Sequence, residues 1–453
     1  MTMPDRSSIA DSVVLVLGLG ASGEAAAQLL LQQGRRVMVA DAGTSAELEI
    51  KAQHLRDRGC QVFIGSRILP EAQFVLGVVS PGIPETDPWV LELRRRGVAV
   101  ISELELGWRA CKSRVLAVTG SNGKSTLVKL CCESLQKAGI SAVAGGNYGA
   151  PLSALACLEP APAWVVVEVS SFQFEGVEQF APDAGILLNI NPNHLDRHGT
   201  MERYTEMKAR MFRRMDQRHV AVIPEALSGQ IGFALSSGCR VATFGLSNKS
   251  SFYYEKGSIR GASLSQPVLV EGSIFDNEVM GVTAAACVAA LAGVGVSLQG
   301  VTAAASAFQS LPHRMQKVAE IDGVSFINDS KATNLAAMSA GVRMAHGPVR
   351  LIAGGLLKEK DLESVKKVLV NKVLGVYIIG KYSQVMAAAW QDQLSCVVCS
   401  DLKAAVNKAW KDAENGDVIL LSPGCASFDQ FKSFEDRGEQ FLEIVRDIKK
   451  ENR

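Results

Sequence analysis

Residues 115–126 read Val-Leu-Ala-Val-Thr-Gly-Ser-Asn-Gly-Lys-Ser-Thr, and this stretch decides the fold of the middle of the chain. Its apolar start predicts a buried strand over Val115–Val118, and the apolar spacing of Leu127–Ala138 predicts a helix after the glycines. A glycine loop between a strand and a helix directs backbone N–H groups at phosphate oxygens, and the helix dipole favours their negative charge. The stretch therefore predicts a nucleotide phosphate site, although a Gly-Lys-Ser triplet can also close an ordinary strand-to-helix turn.

Two kinds of side chain in this loop suit phosphate chemistry. Lys124 would reach the outer phosphates, and the hydroxyl of Ser125 or Thr126 could bind magnesium. The loop departs from the longer G-x-x-x-x-G-K-S/T pattern, because Val118 stands where that pattern has its first glycine. The nucleotide prediction therefore rests on the order of strand, loop and helix as much as on the lysine.

A second glycine pattern, Gly18-x-Gly20-x-x-Gly23, lies between a predicted strand at Ser12–Leu17 and a predicted helix at Glu24–Gln33. Asp41 follows the next predicted strand, Val37–Ala40, as in a dinucleotide-binding βαβ unit. From spacing alone, three interpretations stay open: a nicotinamide cofactor, a different nucleotide such as a UDP group, or glycines that only allow tight turning and close packing. Other residues must decide between them.

Two ionisable side chains follow buried strands of the middle region. Glu168 ends the predicted strand Trp164–Glu168, and His194 lies in the loop after the predicted strand Ala184–Asn189. Proteins of the α/β class place ligands at such strand ends, and a carboxylate near a phosphate loop is a natural magnesium ligand. His194 could be a ligand or a histidine that only caps its loop, and its neighbour Asp196 leaves the two interpretations balanced.

A third series of strands begins beyond Leu311, at positions 324–327, 349–353, 376–379 and 418–421, with amphipathic helical stretches between them. Asp329–Asn334 predicts a capped helix start, where polar residues are expected with or without a ligand. Ser422–Phe431 follows another apolar strand, and its small polar residues either bind a carboxylate or only turn the chain. Three α/β domains in series are the simplest account of the chain.

The composition argues against several classes of protein. The 47 Lys and Arg residues balance 46 Asp and Glu residues, so no basic field for nucleic acid or anionic lipid is expected. The first apolar run is too short to span a membrane, and it lacks the pattern of a signal peptide. Most of the cysteines lie in apolar stretches, which predicts reduced thiols, with Cys396–Cys399 as a core strand rather than a zinc site. A cytoplasmic protein without membrane insertion is expected.

Segments along nearly the whole chain together resemble the Mur ligase family of ATP-dependent ligases, in that family's order. The residues that carry the resemblance are Gly18–Gly23, Ser80–Pro84, Thr119–Thr126, Glu168–Gln173, Asn193–Asp196, Leu311–Arg314, Asn328–Asn334 and Ser422–Phe431. The lysine loop and Asn328–Asn334 are typical of the family generally. Three segments look particular to its D-glutamate-adding branch: Ser80–Pro84, Ser170–Gln173 and the C-terminal run, which continues through Phe434 and Arg437.

The resemblance implies an α/β fold of three domains in series: a Rossmann-like domain at 1–102, a P-loop ATPase-like parallel sheet at 103–310, and a Rossmann-like domain at 311–453. The first domain would bind the UDP end of the substrate, which decides the N-terminal glycine pattern against a nicotinamide cofactor. The positions that would contact this substrate are Ala21, Ser22, Ser80, Gly82, Asn147 and Gln173.

By the same resemblance, the reaction is the ATP-dependent addition of D-glutamate to UDP-N-acetylmuramoyl-L-alanine in peptidoglycan precursor synthesis. ATP would phosphorylate the L-alanine carboxylate, and the amine of D-glutamate would attack the acyl phosphate, giving an amide, ADP and phosphate. The residues that would bind ATP are Gly120, Asn122, Gly123, Lys124, Ser125, Thr126, Asn277, Arg314 and Asp329. Those that would surround D-glutamate are Lys331, Thr333, Lys358, Ser427 and Phe434.

The resemblance also implies two magnesium ions, one held by Ser125 and Glu168 and the other by Glu168 and His194. Lys208 matches a lysine that the family carbamoylates with carbon dioxide, which would turn a cation into an anion able to bind magnesium. The catalytic residues would be Lys124, Glu168, His194 and Lys208, in a protein that acts as a monomer.

One segment departs from the family pattern. Where the family has His-Asn-x-x-Asn at the adenine, this chain reads Asp276-Asn-Glu-Val-Met280, so that Asn277 alone of the three polar residues remains. The segment Gly354–Asp361 lacks two acidic residues after its glycines but keeps Lys358. Two alternatives to a ligase stay open: a nicotinamide-dependent oxidoreductase, which leaves the lysine loop unexplained, and a binding protein that has lost its nucleotide affinity.

Overall fold

The computed structural model describes residues 12–232, 235, 238–359 and 361–451, and it contains three β-sheets. What was predicted for the N-terminal residues 1–11 lies outside the described residues. The first two sheets belong to one compact unit, which ends at Ala307, and the third belongs to a second unit, which begins at Phe308 and also includes Asn191–Asn193. Within the described ranges, no helix is long and apolar enough to cross a membrane.

The N-terminal sheet is parallel throughout. Its strands are β1 (Val13–Leu17), β2 (Arg36–Asp41), β3 (Gln61–Ile64), β4 (Phe74–Val79) and β5 (Ala99–Ser102), in the spatial order β3-β2-β1-β4-β5. The helices between them are α1 (Ala21–Gln32), α2 (Ala46–Arg56) and α3 (Pro88–Arg95). The strand order reverses between β1 and β4, which leaves a crevice of the kind that binds nucleotides at the carboxyl ends of the strands. The prediction of a Rossmann-like fold here is confirmed.

The first strand shows why its sequence is apolar without a break. Val14 and Val16 pack into the core on one face of the sheet, whereas Val13, Leu15 and Leu17 pack into the core on the other. A parallel strand covered on both faces has no solvent side, and its sequence therefore shows no polar alternation.

The central sheet follows helix α4 (Glu103–Ala110) and has nine strands in the part of the chain that the structure describes. They are β6 (Arg114–Thr119), β7 (Ala142–Gly146), β8 (Trp164–Glu168), β9 (Ala184–Leu187), β10 (Val220–Pro224), β11 (Arg240–Gly245), β12 (Phe252–Glu255), β13 (Ser258–Arg260) and β14 (Val268–Leu269). Their order is β7-β8-β6-β9-β10-β11-β12-β13-β14. The pairs from β7 to β12 are parallel, and the pairs β12–β13 and β13–β14 are antiparallel. The predicted parallel sheet is confirmed, with an antiparallel edge.

The helices of this region are α5 (Lys124–Lys137), α6 (Leu152–Leu155), α7 (Leu195–His198), α8 (Met201–Ala209), α9 (Ser228–Ile231), α10 (Glu278–Gly293) and α11 (Gln299–Ala307), with short 3-10 turns at 172–174, 210–212 and 225–227. Both α1 and α5 begin earlier than their apolar spacing predicts, directly after Gly20 and Gly123. The first turn of each helix adjoins a glycine loop and carries polar or small residues, so apolar spacing alone misses it.

The C-terminal sheet consists of β15 (Gln316–Ile321), β16 (Val324–Asn328), β17 (Val349–Gly354), β18 (Val373–Ile379), β19 (Cys396–Val398) and β20 (Val418–Leu421), in the order β15-β16-β20-β17-β18-β19. The helices are α12 (Leu335–Met344), α13 (Glu363–Val370), α14 (Ser383–Trp390), α15 (Leu402–Lys411) and α16 (Phe434–Glu451). Only β15 is antiparallel to its neighbour, so the Rossmann-like prediction is confirmed. The prediction of a core strand at Cys396–Cys399 is wrong, because β19 is a half-exposed edge strand.

Candidate nucleotide and substrate site

Three neighbouring strands of the central sheet bring the predicted phosphate and metal residues to one edge. The lysine loop follows β6, Glu168 ends β8, and Asn189 comes shortly after β9. In the sheet, β6 lies between β8 and β9, and all three strands are parallel. Because the carboxyl ends of parallel strands meet at one edge, this arrangement creates the crevice in which α/β proteins bind ligands.

The loop between β6 and α5 depends on glycine. Gly123, the residue before α5, has a φ of 82°, in the left-handed region that glycine adopts without strain. A Cβ atom at this position would also lie 2.9 Å from Cδ2 of Leu188. Helix α5 therefore starts at Lys124 with its positive end at the loop, as a phosphate site requires.

Asn189 holds the loop in place, and it is not among the site residues predicted from the sequence. Its Oδ1 accepts hydrogen bonds from the backbone N–H groups of Ser121 at 3.1 Å and Asn122 at 3.0 Å. Its Nδ2 donates to the carbonyl oxygen of Asn122 at 3.0 Å. A polar side chain just beyond an apolar strand, next to the strand that carries the loop, is the signal that could have found it.

Glu168 is brought together with two other predicted site residues. The hydroxyl of Ser125 donates to its Oε2 at 2.5 Å, and Nδ2 of Asn147 donates to its Oε1 at 3.0 Å. The carboxylate is only 4% exposed, so these two bonds fix its orientation. Of the two hydroxyls that were candidates for magnesium, it is that of Ser125 which contacts the carboxylate.

Two lysines converge on the carbonyl oxygen of Gly120. Nζ of Lys124 donates to it at 2.9 Å and Nζ of Lys208 at 3.0 Å, and Lys208 also donates to Oγ1 of Thr119 at 3.4 Å. Lys208 is 1% exposed, and its ammonium lies 4.7 Å from the ring centre of Tyr204. Burial, and next the charge of Lys124, lower the pKa of Lys208 well below its ordinary value, against the opposing effect of Glu168.

His194 directly precedes the short helix α7. Its backbone has a φ of 54°, and its ring packs edge-on against Phe172, with the ring centres 4.8 Å apart. Its approach to Glu168, which a shared magnesium ion would require, stays a prediction. Among the described residues, no group of three or more His, Cys, Asp and Glu side chains is arranged to hold a metal.

The oxygen atoms of Ser125 and Glu168 nevertheless suit magnesium. This ion prefers oxygen ligands and keeps several water molecules, and it is commonly bound through one or two carboxylates together with substrate phosphates. A hydroxyl and a carboxylate at the start of a phosphate loop fit that pattern. The geometry therefore fits magnesium bound together with a nucleotide better than a site built from protein ligands alone.

The N-terminal glycine turn is held by two side chains. Oγ of Ser80 donates to the carbonyl oxygen of Gly18 at 3.2 Å. The carboxylate of Asp41 accepts from the N–H of Leu19 at 2.6 Å and from that of Gly43 at 2.7 Å. In a nicotinamide site an acidic residue at the position of Asp41 would bind the ribose. Here one oxygen of Asp41 stabilises the glycine turn and the other stabilises the loop that follows β2, which weakens the oxidoreductase interpretation.

The other predicted UDP-substrate positions are divided between the surface and the interior. Ala21 and Ser22 are the first residues of α1, and Gly82 is exposed in the loop after β4. Gln173 is buried, and its Oε1 accepts from the N–H of Ser170 at 2.9 Å and from its Oγ at 3.2 Å. The bonds from Ser170 thus fix the orientation of the Gln173 side chain, and its contact with substrate stays a prediction.

In the C-terminal unit, Asp329 is a buried carboxyl group. Its Oδ1 accepts from the N–H of Met315 at 3.2 Å, and its Oδ2 accepts from the hydroxyl of Ser422 at 2.8 Å. Burial raises the pKa of Asp329 to about 7, against the lowering effects of these bonds and of the positive charge of Arg314. Arg314 and Asp329, which were predicted together, thus interact electrostatically.

Two of the residues predicted for D-glutamate contact each other. The ammonium of Lys331 lies 3.5 Å from the ring centre of Phe434, in a cation–π contact. Ser427 is buried, and Thr333 donates its N–H to the carbonyl oxygen of Lys331 at 2.9 Å. Lys358 is exposed in the segment after β17, and its place near the other four stays a prediction.

In the segment Asp276–Met280, which departs from the family pattern, two polar side chains form hydrogen bonds that stabilise the local fold. Oδ1 of Asn277 accepts from the N–H of Met280 at 3.0 Å and caps α10, while its Nδ2 donates to the carbonyl oxygen of Ile274 at 2.9 Å. Asp276 accepts from the hydroxyl of Tyr254 at 2.8 Å and from the N–H of Gly272 at 3.1 Å. The exchanged residue at 276 is therefore built into the local fold.

Three family models match the chain: "Mur ligase MurD-like, N-terminal domain" at residues 12–102, "Mur ligase middle domain" at 118–283, and "Mur ligase, glutamate ligase domain" at 313–425. The UDP-N-acetylmuramoylalanine–D-glutamate ligase of Acidobacterium capsulatum is 36% identical over 95% of this chain and 95% of its own length. That of Desulfatibacillum aliphaticivorans is 35% identical over 95% of this chain and 97% of its own length.

Among solved structures, the MurF ligase of Thermotoga maritima, determined in complex with ADP, has a TM-score of 0.61 and covers 98% of this chain and 99% of its own. At 18% identity this likeness shows the fold. The two sequence relatives are 36% and 35% identical over 95% of this chain, and three family models match it. This similarity shows the family as well as the fold. The chain belongs to the Mur ligase family.

Proposed function

We propose that the chain is an ATP-dependent ligase that adds D-glutamate to UDP-N-acetylmuramoyl-L-alanine in peptidoglycan precursor synthesis. The observation that carries this proposal is the hydrogen bond of 2.5 Å between Ser125 and Glu168. Ser125 directly follows Lys124 in the first turn of α5. The two sequence relatives, both named as UDP-N-acetylmuramoylalanine–D-glutamate ligases, support the choice of acceptor and amino acid.

The proposed roles are divided among three domains, which comprise residues 1–102, 103–310 and 311–453. The N-terminal domain would bind the UDP-linked substrate through Ala21, Ser22, Ser80 and Gly82, with Asn147 and Gln173 contributed by the central domain. The crevice between β1 and β4 supports this assignment, because it lies at the carboxyl ends of parallel strands. The C-terminal domain would supply Arg314 and Asp329 to ATP and the remaining predicted residues to D-glutamate.

The chemistry begins with the poor reactivity of a carboxylate towards amines. Transfer of the γ-phosphoryl group of ATP to the L-alanine carboxylate creates an acyl phosphate, and attack by the amine of D-glutamate expels phosphate. Lys124 and the positive end of α5 stabilise the charge that develops during the first step. Magnesium, when bound, would neutralise the phosphate oxygens and align them with the acceptor carboxylate.

Ser125 and Glu168 would hold the first magnesium ion, and Glu168 and His194 the second. Asn147 supports this role for Glu168, because its bond to Oε1 orients the carboxylate that a metal would approach. Two solved structures of similar fold support ATP and a divalent metal. The MurF ligase of Thermotoga maritima was determined with ADP, and a bifunctional folylpolyglutamate synthase/dihydrofolate synthase of Yersinia pestis with AMPPNP and manganese. The number of ions is part of the proposal.

Lys208 is proposed to be carbamoylated. Its neutral amine is the form that attacks carbon dioxide, and the attack forms an N–C bond and releases one proton, leaving a carbamate anion. The lowered pKa of Lys208 supports this reaction, because burial beside Lys124 disfavours the ammonium form. The carbamate keeps one N–H group, which could still donate to the carbonyl oxygen of Gly120, and its oxygens would be ligands for magnesium.

D-glutamate carries two carboxylates, and the proposed site offers two lysines for them. Lys331 is held against the ring of Phe434, and Lys358 is exposed and so accessible to an incoming amino acid. Ser427 and Thr333 would complete the site as polar neighbours. Charge reversal by Lys358→Glu should raise the KM for D-glutamate more than the KM for ATP. Equal effects on both would count against the assigned site.

A cytoplasmic location and a monomeric state are also proposed. Cys396 and Cys399 are free thiols, which supports a reducing compartment. Sedimentation velocity at micromolar concentration would test the monomer, which a concentration-dependent dimer would contradict.

The experiment that tests the proposed function is phosphate release by the purified protein with ATP, magnesium and UDP-N-acetylmuramoyl-L-alanine. Four amino acids are compared: D-glutamate, L-glutamate, meso-diaminopimelate and L-lysine. Release stimulated by D-glutamate alone is expected. Release without the UDP-linked substrate would contradict the assigned acceptor, and no release by a folded protein that binds the substrate would favour the binding-protein alternative.

A further inference from the structure

Arg197 lies in helix α7, three residues after His194, and its side chain is 17% exposed. Its guanidinium group forms a two-pronged ion pair with Glu175, with Nη2 at 2.7 Å from Oε2 and Nε at 3.0 Å from Oε1. The face of the group covers the ring of Phe172, with its carbon 4.3 Å from the ring centre. Such pairs fix both side chains in direction as well as distance.

The same guanidinium also holds the loop that follows β4. Nη1 donates to the carbonyl oxygen of Pro81 at 2.9 Å, and Nη2 donates to that of Ile83 at 3.4 Å. The loop 80–84 contains Ser80 and Gly82, two of the positions proposed for the UDP-linked substrate. These carbonyls belong to no strand or helix, so the bonds to Arg197 fix the backbone where secondary structure does not.

Glu175 and its neighbour Gly176 also form hydrogen bonds with Glu85, just beyond the loop 80–84. Oε2 of Glu175 accepts from the backbone N–H of Glu85 at 3.1 Å, and Glu85 in turn accepts from the N–H of Gly176 at 3.2 Å. Arg210 approaches Glu85 at 3.5 Å. The three segments 80–85, 172–176 and 194–198 are therefore joined in one hydrogen-bonded network with Arg197 at its centre.

We propose that Arg197 is a positioning residue that holds the substrate loop 80–84 in register with the turn that carries His194. The inference rests on the proposed function for the identity of the substrate and of the metal ligand. Its physical basis is the planar guanidinium group of arginine, which donates hydrogen bonds to one carboxylate and two carbonyl oxygens at once. A lysine has the charge but cannot reproduce this geometry. Misplacement of a substrate by about 1 Å can reduce the rate about 100-fold.

The kinetic test compares Arg197→Met and Arg197→Lys with a matched control, Arg203→Met. Arg203 pairs with Glu206 at 3.0 Å on α8, at the surface and away from the loop 80–84. For Arg197→Met we expect kcat/KM for the UDP-linked substrate to fall by about 10- to 100-fold, with the KM for D-glutamate changed less than about twofold. Arg197→Lys should recover part of the loss, and Arg203→Met should behave like the wild type.

A double-mutant cycle with Glu175→Gln separates a positioning network from independent contacts. If the two residues act as a unit, the double variant should lose little more than Arg197→Met alone. Additive losses would contradict the network. If kcat/KM fell equally for all three substrates, in proportion to a fall in melting temperature, Arg197 would have only a structural role and the proposal would be overturned. Wild-type kinetic values in Arg197→Met would overturn it as well.

Amide hydrogen exchange gives a readout that needs no activity. In Arg197→Met the N–H groups of Ile83 and Glu85 should exchange at least about tenfold faster, while those of α1 keep their rates. Unchanged exchange at both positions would overturn the proposal even if activity fell. An inactive wild-type protein would contradict the proposed function instead, and the exchange result would still decide whether Arg197 holds the loop.

Discussion

The hydroxyl of Ser125 lies 2.5 Å from Oε2 of Glu168 and donates a hydrogen bond to it. The two residues are 43 positions apart in the chain. They meet because β6 and β8 are neighbours in a parallel sheet: Glu168 ends β8, and Ser125 lies in the first turn of α5, which follows the loop after β6. The order of strands thus assembles a hydroxyl and a carboxylate at the positive end of α5.

Ser125→Ala should raise the magnesium concentration needed for half-maximal activity by about 10- to 100-fold, the range found when partners around a metal are removed. The physical reason is the loss of one oxygen ligand and of the bond that orients Glu168. Ser134→Ala is the matched control, since Ser134 is a buried serine of the same helix, placed beside Cys287. An unchanged magnesium requirement in Ser125→Ala would remove this serine from the metal site.

Lys124→Ala should lower kcat by about 100- to 1,000-fold, as expected for the loss of one group that stabilises transition-state charge. In the structure its ammonium donates to the carbonyl oxygens of Gly120 and Ser121, so it lies against the loop that would receive the phosphates. Lys129→Ala, on the same helix and paired with Glu133 at 3.5 Å, is the control. Steady-state phosphate release measures both, and substantial remaining ligation in Lys124→Ala would contradict its role.

Carbamoylation of Lys208 can be detected directly. Protein equilibrated with ¹³C-bicarbonate should show a carbamate carbon signal in its NMR spectrum, because burial lowers the pKa of Lys208 and so favours the neutral amine that reacts with carbon dioxide. Lys208→Arg should lack the signal, since a guanidinium does not form the carbamate under these conditions. A wild-type spectrum identical to that of Lys208→Arg would show that this lysine acts only by donating to Gly120.

The sequence predicts the sheets well and the contacts within the site only in part. Apolar runs such as Trp164–Glu168 and Val418–Leu421 match their strands end to end, because strands buried on both faces leave a clear local signal. Asn189 and Arg197 were missed, because their roles depend on which strands and loops are neighbours in space. Cys396 was assigned to the core because apolar composition does not distinguish an edge strand from a central one.

Asn277 offers a way to separate a structural role from a nucleotide role. Asn277→Ala removes the cap of α10 and should cost about 1 kcal/mol of stability. Asn277→Asp keeps an oxygen for the N–H of Met280 but loses the amide donor. If the amide holds adenine, both variants should raise the KM for ATP. Both variants also lose the bond to the carbonyl oxygen of Ile274, so the melting temperature should fall further in Asn277→Ala, which loses the cap as well. A normal KM for ATP in Asn277→Asp would assign the residue to capping alone.

The carboxyl group of Asp329 should make the stability of the protein depend on pH. Its pKa is raised by burial to about 7 in the folded chain, whereas an unfolded aspartate titrates near about 3.9. Between these values the folded state binds more protons than the unfolded state. The stabilisation from the protonated form is therefore fully present below about pH 4 and is lost as the pH rises through 7.

Asp329→Asn should remove this dependence, since an amide stays neutral throughout. We expect the decrease in melting temperature between pH 5 and pH 8 to be smaller in this variant than in the wild type. Asp412→Asn is the control, because hydrogen bonding to Lys408 lowers the pKa of Asp412, so its effect on stability lies at acidic pH and has the opposite sign. Equal decreases in Asp329→Asn and the wild type would show that Asp329 is ionised in the folded protein across this range.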